Sequence, residues 1–348
     1  MISSKVVKKE RDSNMELLRI IAMVIIMLVH ANFRALGYPD ADELALSPFG
    51  TFMRYLSEAF CIMGVNVFVM LSGWYGIRLK PMRLFELFFQ ITFFVIVAIM
   101  ASCIHKHQWP NMSDLGFFFM KNNYDYWFIK AYLMLYILSP VLNSFVDYSE
   151  KKLFQLVLVL FFSFTFLWGW LTDGAIWLKH GHSGIFFCGL YLLSRYIRLY
   201  YDKREKISKV TCVIVYVIIA FSLAIMAFVL LKMGETHFIK RIYYYTCPIV
   251  IIQAVVFLLF FTKISLCSRF VNWVACSTLA IYLLHSARFL STYFYDYLIA
   301  DWHTSDPTII FVVKSLGWVF VVFWLSIILD KMRMGIWHFF ISTITTQK

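Results

Sequence analysis

Charged residues are scarce in this sequence, and its middle lacks any long polar stretch. Asp, Glu, Lys and Arg make up 15% of the 348 residues and 61% are hydrophobic, whereas soluble domains average about 25% charged residues. Apolar runs follow one another from Leu17 to Leu329 with only short polar breaks, although a soluble domain would need polar residues to cover its surface. The composition therefore excludes an ordinary soluble protein and favours one that has lipid as its main solvent.

Cysteine pairs and a continuous basic surface are lacking as well. The seven cysteines are odd in number, lie mostly within apolar segments and form no CxxC pair, so neither a metal site nor a redox pair is predicted. The net charge of +12 comes from short basic clusters between apolar runs, which argues against a nucleic-acid partner. These clusters instead carry information about membrane topology.

Apolar segments of the length needed to cross a bilayer recur through the chain, because a transmembrane helix takes about 20 apolar residues. The ten segments are Leu17–Arg34, Tyr55–Ile77, Leu84–Ile104, Tyr126–Val146, Leu153–Leu171, Gly184–Tyr200, Val210–Leu231, Tyr244–Thr262, Phe270–Leu290 and Thr308–Leu329. We therefore predict an all-α integral membrane protein with about ten transmembrane helices.

The distribution of Lys and Arg predicts that both termini are cytoplasmic. Most basic residues then fall on inner segments, with the basic loop Tyr200–Lys209 as the clearest example. The predicted organisation is a cytoplasmic segment 1–16, a single membrane domain 17–329 and a cytoplasmic tail 330–348. No internal repeat or linker indicates a second domain, so any chemistry must reside in the spans and short loops.

Two ionisable residues mark the first span. Arg19 and His30 are separated by eleven positions, which places them on one face of a helix and about 16 Å apart along it. Arg19 alone is also typical of a snorkelling anchor at the inner interface. An imidazole inside a span is costly and can exchange a proton near neutral pH, so His30 is predicted to be catalytic or to relay protons.

A basic cluster follows the second span. Arg78, Lys80 and Arg83 lie within six residues of one another and are predicted at the inner face. They are equally compatible with phosphate binding and with a purely topological role.

A second group of polar residues lies in the ninth span and at the start of the second. Tyr282, His285 and Arg288 recur at intervals of three, so they are predicted to share one helical stripe. His285 is a candidate catalytic residue if it lies near His30, and otherwise a hydrogen-bonded structural histidine. Tyr282, Arg288 and Glu58 are candidate substrate contacts, although Glu58 is also near enough to the outer boundary to be simply exposed.

Together these features resemble membrane-bound acyltransferase family 3, the bacterial multi-span O-acyltransferases of surface glycans. The resemblance covers essentially the whole chain. It rests on the Arg19 and His30 pair, the Phe68–Gly73 run with the basic residues after it, YWFIKAYLMLYILSP from Tyr126, Ser183–Leu193, and STLAIYLLH ending at His285.

The resemblance implies transfer of an acyl group, usually acetyl, from cytoplasmic acyl-CoA to a sugar hydroxyl of an exported or lipid-linked glycan. Arg19, Arg78, Lys80 and Arg83 would bind the CoA side, and His30 would act as a base or a transient acyl acceptor. No metal is implied. The expected location is the bacterial cytoplasmic (inner) membrane, among membrane lipids and possible glycan-assembly proteins.

The sequence departs from the family pattern at two places. Lys80 and Arg83 stand where two arginines are common, and Glu16 stands where an aspartate is usual. Lysine neutralises phosphate without the bidentate fork of arginine, which weakens the assignment of Lys80. A transporter or flippase is the alternative interpretation of a multi-span chain with buried polar residues, but the sequence shows neither repeats nor paired broken spans.

Overall fold

The computed structural model describes residues 12–122, 125–201 and 207–346, and within these ranges the chain is helical with no strand. Residues 1–11 of the predicted N-terminal segment and residues 202–206 of the basic loop lie outside the described ranges. The all-α prediction is therefore confirmed for the described part of the chain.

The α-helices of the described ranges have between 4 and 39 residues. The α-helices are α1 (Ser13–Val29), α2 (Ala41–Leu46), α3 (Pro48–Cys61), α4 (Gly64–Tyr75), α5 (Pro81–Lys106), α6 (Met112–Phe118), α7 (Trp127–Tyr148), α8 (Lys151–Phe164), α9 (Gly184–Tyr200), α10 (Lys209–Lys232), α11 (Thr236–Ile242), α12 (Pro248–Thr262), α13 (Arg269–Ala275), α14 (Thr278–His285), α15 (Arg288–Ser291), α16 (Leu298–Ser305) and α17 (Thr308–Thr346). Three π-helical turns, His30–Arg34, Thr165–Leu171 and Thr292–Tyr297, continue helices α1, α8 and α15.

Seven helical stretches in the described ranges are long and apolar enough to cross a membrane. They are Ser13–Arg34, Pro48–Tyr75, Pro81–Lys106, Trp127–Tyr148, Lys151–Leu171, Lys209–Lys232 and Thr308–Thr343. An eighth span is formed if the pair Arg269–His285 and Arg288–Ser305, bent by 80°, crosses as one unit. The chain is thus a multi-pass helical membrane protein.

The remaining two predicted spans correspond to short helices. Helix α9 has 17 residues and α12 has 15, so they extend about 26 Å and 22 Å, less than the ~30 Å hydrocarbon core. The count of ten spans and the cytoplasmic position of both termini stay predictions. Helix α17 continues past Leu329 to Thr346, so the described part of the predicted tail is helical.

The closest helix packing in the bundle depends on small residues. A Cβ on Gly73 would lie 2.5 Å from the backbone oxygen of Tyr191, so only glycine allows α4 to approach α9 this closely. Beside it, the Ser194 hydroxyl of α9 donates a hydrogen bond to the Met70 carbonyl at 2.6 Å. Small residues at close crossings are typical of membrane helices.

The outer surface of the long helices is apolar. On α10, Ile214, Ile218, Phe221 and Ile225 are exposed, while Leu223 and Ala227 are fully buried. Proteins that are surrounded by water rarely expose so large an apolar surface. Lipid is the solvent that fits it.

Two ends of the bundle can be distinguished by their contacts. At the first, which we call the N-terminal end, the Asn14 amide donates a hydrogen bond to the Phe261 carbonyl at 2.8 Å, which joins the start of α1 to the end of α12. At the opposite end, which we call the histidine end, the π-turn after α1 contacts the π-turn Thr292–Tyr297. Helix α1 therefore connects the two ends.

Candidate active site

His30 lies where α1 changes from regular α-helix to a π-turn. The α-helix ends at Val29, and His30–Arg34 forms one π-helical turn, a feature that is rare and frequent at functional sites. The His30 side chain is partly exposed, whereas its Nδ1 atom is buried and has no hydrogen-bond partner among the described residues. A buried nitrogen without a partner is energetically costly, which makes His30 a candidate functional residue.

His285 is the last residue of α14 and is fully buried. Its Nδ1 lies 2.5 Å from the Ile281 carbonyl oxygen. Because a carbonyl oxygen only accepts, Nδ1 must carry the hydrogen, and in the neutral ring Nε2 then has the lone pair. That Nε2 atom is also buried, and no residue in the described part of the chain bonds to it.

The two imidazoles face one another at the histidine end. Their ring centroids are 5.1 Å apart with an interplanar angle of 52°. This separation makes the two rings direct neighbours. The two unpartnered nitrogens are complementary if His30 carries its hydrogen on Nδ1, which leaves His30 Nε2 with the lone pair.

Aromatic rings and one cation surround the histidine pair. The Tyr295 ring is edge-on to both imidazoles, with centroids 5.7 Å from His30 and 6.2 Å from His285, and the Arg34 guanidinium lies 5.9 Å from the Tyr295 centroid. The Tyr282 ring is 5.8 Å from His285, so Tyr282 lies next to the pair, and its predicted contact with substrate stays a prediction. The sequence reasoning missed Tyr295 and Arg34, although Arg34 lies one turn beyond His30.

Glu58 is buried, being 2% exposed, and it belongs to a polar network next to His30. Its Oε2 accepts a hydrogen bond from the Asn32 amide at 3.0 Å, and the Asn32 Oδ1 accepts one from the Arg54 Nε at 3.1 Å. Arg54 is ion-paired in turn with Glu43. The network joins the π-turn that carries His30 to α3, and the predicted contact of Glu58 with substrate stays a prediction.

Arg288 is separated from Tyr282 and His285 by the break between α14 and α15, so the predicted continuous stripe ends at His285. Its Nε and Nη2 donate hydrogen bonds of 3.0 Å and 2.5 Å to the two oxygens of Asp125. Asp125 is buried, and a bidentate pair of this kind fixes geometry. Arg288 thereby joins α15 to the segment that precedes α7.

The predicted phosphate-binding cations lie at the N-terminal end. Arg19 forms an ion pair with Glu16 at 2.6 Å, and Glu16 is buried. Arg78, Lys80 and Arg83 are exposed, and within residues 12–122, 125–201 and 207–346 none of the three has an ion-pair partner. Their role in binding a donor stays a prediction.

Helix α1 thus carries Arg19 in its N-terminal half, and His30 follows its other end. The helical bundle defines the class as a multi-pass membrane protein, and the neighbouring His30 and His285 rings make the histidine end its candidate site.

Comparison with known families gives the finer assignment. A family model described as an acyltransferase domain matches residues 12–329. The chain belongs to this family, acyltransferase family 3, and is a membrane acyltransferase. No curated protein and no solved structure gives a match. The matched range contains His30, His285 and all the other residues of the candidate site.

Proposed function

We propose that the chain transfers an acyl group, with acetyl as the first choice, from cytoplasmic acyl-CoA to a sugar hydroxyl of a cell-surface or exported polysaccharide. The observation that carries this proposal is the pair of facing imidazoles with two unpartnered buried nitrogens, at the end of α1 opposite to Arg19. Family membership supports acyl transfer in general. The donor and the acceptor are our proposal.

In the proposed reaction His30 acts on the acceptor hydroxyl. Its Nε2 removes the proton as the sugar oxygen attacks the thioester carbonyl, the carbon–sulfur bond breaks, and the proton passes to the departing CoA thiolate. The alternative is that His30 first takes the acyl group itself and then delivers it to the sugar. In both versions the lone pair of His30 must reside on its Nε2. His285 maintains that tautomer by accepting a hydrogen bond from His30 Nδ1.

The donor is proposed to enter at the N-terminal end. The cations Arg19, Arg78, Lys80 and Arg83 would neutralise CoA phosphates. The eleven residues from Arg19 to His30 span about 16 Å, a separation that a long, thin acyl carrier is suited to bridge. A glycan or lipid-linked saccharide would approach the histidine end, and the bacterial inner membrane, with possible glycan-assembly partners, is the proposed setting.

Acyl transfer by the purified protein tests the proposal. The full chain in proteoliposomes is supplied with acetyl-CoA and a lipid-linked or soluble glycan, and free CoA thiol and acylated glycan are measured together. We expect both products to appear at equal rates and to disappear with His30→Ala. Glycan transport across the vesicle membrane without thiol release would contradict the proposal and favour a transporter.

A further inference from the structure

A cavity of about 650 Å³ lies beside the histidine end of the bundle. Its walls are the last turns of α5, helix α6, helix α15 and the π-turn Thr292–Tyr297. Ligand sites of about 300–1,000 Å³ are typical of small-molecule binding. The volume is therefore sufficient for a ligand, and neither His30 nor His285 lines the cavity.

The cavity follows from a break in the helix that carries His285. The stretches Arg269–His285 and Arg288–Ser305 meet at an angle of 80°, so the chain after the break leaves the direction of α14. The opposite wall is one face of α5, on which Ala98, Ser102 and His105 recur at helical intervals. The space between these walls thus depends on the path of the backbone and not on the rotamer of one side chain.

Groups of opposite charge line two walls of the cavity. Lys106, the last residue of α5, is exposed and has no ion-pair partner among the described residues. Its Nζ lies 5.7 Å from the centroid of the Phe289 ring. Asp114 of α6 is half-buried, and its Oδ2 accepts a hydrogen bond from the Asn111 backbone N–H at 2.9 Å. The cavity therefore offers a charged donor on one wall and a charged acceptor on another.

The balance of these charges favours a neutral ligand. Arg288 also lines the cavity, but Asp125 accepts hydrogen bonds from its Nε and Nη2 and offsets its charge. One ammonium and one carboxylate remain, and the carboxylate would repel a phosphate group. A hydroxyl group both donates and accepts hydrogen bonds, so it can use both walls. A neutral molecule with several hydroxyls is the ligand that fits this set.

Aromatic rings on the π-turn provide the remaining contact surface. Tyr297 is 67% exposed and Tyr293 is 37% exposed, and the exposed His105 ring lies 5.5 Å from Tyr293. The face of an aromatic ring carries negative potential, which attracts weakly positive C–H groups. A sugar ring presents such C–H groups on its faces and hydroxyls around its edge. Its chemistry therefore matches both the rings and the polar walls.

The same π-turn separates the cavity from the histidine pair. It directs Tyr293 and Tyr297 to the cavity, whereas its Tyr295 packs edge-on against His30 and His285. A helix with its side chains is about 10–12 Å wide, so a sugar in the cavity lies about one helix width from the imidazoles. This sugar is too distant to react, but a neighbouring sugar of the same chain can reach His30.

We infer that the cavity between α5, α6 and the π-turn binds a non-reacting sugar of the acceptor, so that the protein prefers an oligosaccharide or polymer to a single sugar. The inference rests on the proposed function and deepens it, because it makes chain length a determinant of acceptor choice. Lys106, Asp114 and Tyr297 are the residues assigned to this second sugar.

Equilibrium binding without acyl donor tests the site separately from catalysis. The probes are fragments of the surface glycan from cells that lack this chain, separated by the number of sugars. They are titrated into the full chain in nanodiscs of neutral lipid, for the wild type, Lys106→Gln and Tyr297→Leu, which alter different walls. The matched controls are Lys152→Gln and Tyr148→Leu, because both residues are exposed and neither lines the cavity.

The wild type should bind long fragments more tightly than short ones, because only a long fragment reaches from His30 to the cavity. Lys106→Gln and Tyr297→Leu should each weaken the binding of long fragments by about three- to tenfold, which is the loss expected for one contact. Both controls should keep the wild-type dependence on length. In the transfer assay, the two cavity variants should raise KM for long fragments, with an unchanged size-exclusion profile.

Three results would overturn the inference. The first is a wild type that binds no fragment, or binds short and long fragments alike, and the second is a dependence on length that survives both cavity variants. The third is phospholipid that co-purifies with the wild type and is lost from both variants without any glycan binding, which would make the cavity a lipid site. Acyl transfer that continues in these cases would leave the proposed function standing. Cavity-dependent glycan binding without acyl transfer would support the site and contradict the proposed function.

Discussion

Replacing His285 by asparagine removes Nε2, the nitrogen proposed to bond to His30, and keeps a hydrogen-bond donor for the Ile281 carbonyl. Asparagine can still donate from its amide to the Ile281 carbonyl, which His285 Nδ1 contacts at 2.5 Å, but it offers nothing at the position of Nε2. Glutamine is the matched variant, because its longer side chain places a polar atom near that position. The pair of variants separates the two nitrogens of one buried ring.

The size of the effect follows from the burial of the site. His285 is fully buried and Nε2 has no other partner, so the His30 Nδ1 hydrogen would lose its only proposed acceptor. A buried donor without a partner costs about 1–3 kcal/mol. If the His30 tautomer with its lone pair on Nε2 is destabilised by this amount, the rate should fall by roughly 5- to 150-fold. We expect a kcat loss in this range for His285→Asn and a smaller one for His285→Gln.

Steady-state acyl transfer by His285→Asn, His30→Ala and the double variant measures this effect. Because His285 is proposed to act through His30, the double variant should be no slower than His30→Ala alone. KM for acetyl-CoA should stay at the wild-type value, and the size-exclusion profile should be unchanged. Rates that multiply in the double variant, or a His285→Asn enzyme as fast as the wild type, would refute the coupling.

Three further predictions concern the fold and the donor end. Gly73→Ala should destabilise the protein by about 1–3 kcal/mol, because its Cβ would overlap a backbone oxygen of α9, whereas Gly335→Ala, which has open space around it, should not lower the melting temperature. Arg19→Ala should raise KM for acetyl-CoA about tenfold, because a charged contact with the donor is lost. Glu16→Gln frees the same guanidinium and should not raise KM. If KM is unaltered in both variants, the role of Arg19 is to fix membrane topology. Asp125→Asn should cost about 1–2 kcal/mol in thermal unfolding, since its arginine partner is partly exposed and screened by solvent, and an unchanged melting temperature would show that this bidentate pair is not structural.

Hydropathy predicted the helical class and the positions of most spans because the apolar runs are long. The predicted segment Gly184–Tyr200 coincides with α9, whereas α12 begins at Pro248, four residues after the predicted start of its segment at Tyr244. The basic cluster Arg78, Lys80 and Arg83 was found in the sequence after the second predicted span. Gly76 explains where α4 stops, because its φ of 76° is in the left-handed region that glycine adopts readily.

The candidate site was partly predictable for a related reason. His30 is conspicuous as an ionisable residue within an apolar run. The catalytic role predicted for His285 depended on its lying near His30, which only the packing of the helices decides. Tyr295 carries no signal of its own in a segment rich in tyrosine and phenylalanine. The sequence left open whether Glu58 is buried or exposed. Its burial depends on a tertiary contact, the hydrogen bond from Asn32, which joins α3 to the π-turn after α1.

The most direct measurement of the central claim is the acylation of surface glycan in cells that produce either the wild-type chain or His30→Ala at equal membrane levels. Mass spectrometry of the purified glycan should show the acyl group with the wild type and its complete loss with the variant. The same acyl content in both glycans would contradict the claim that the imidazole at the end of α1 carries the chemistry.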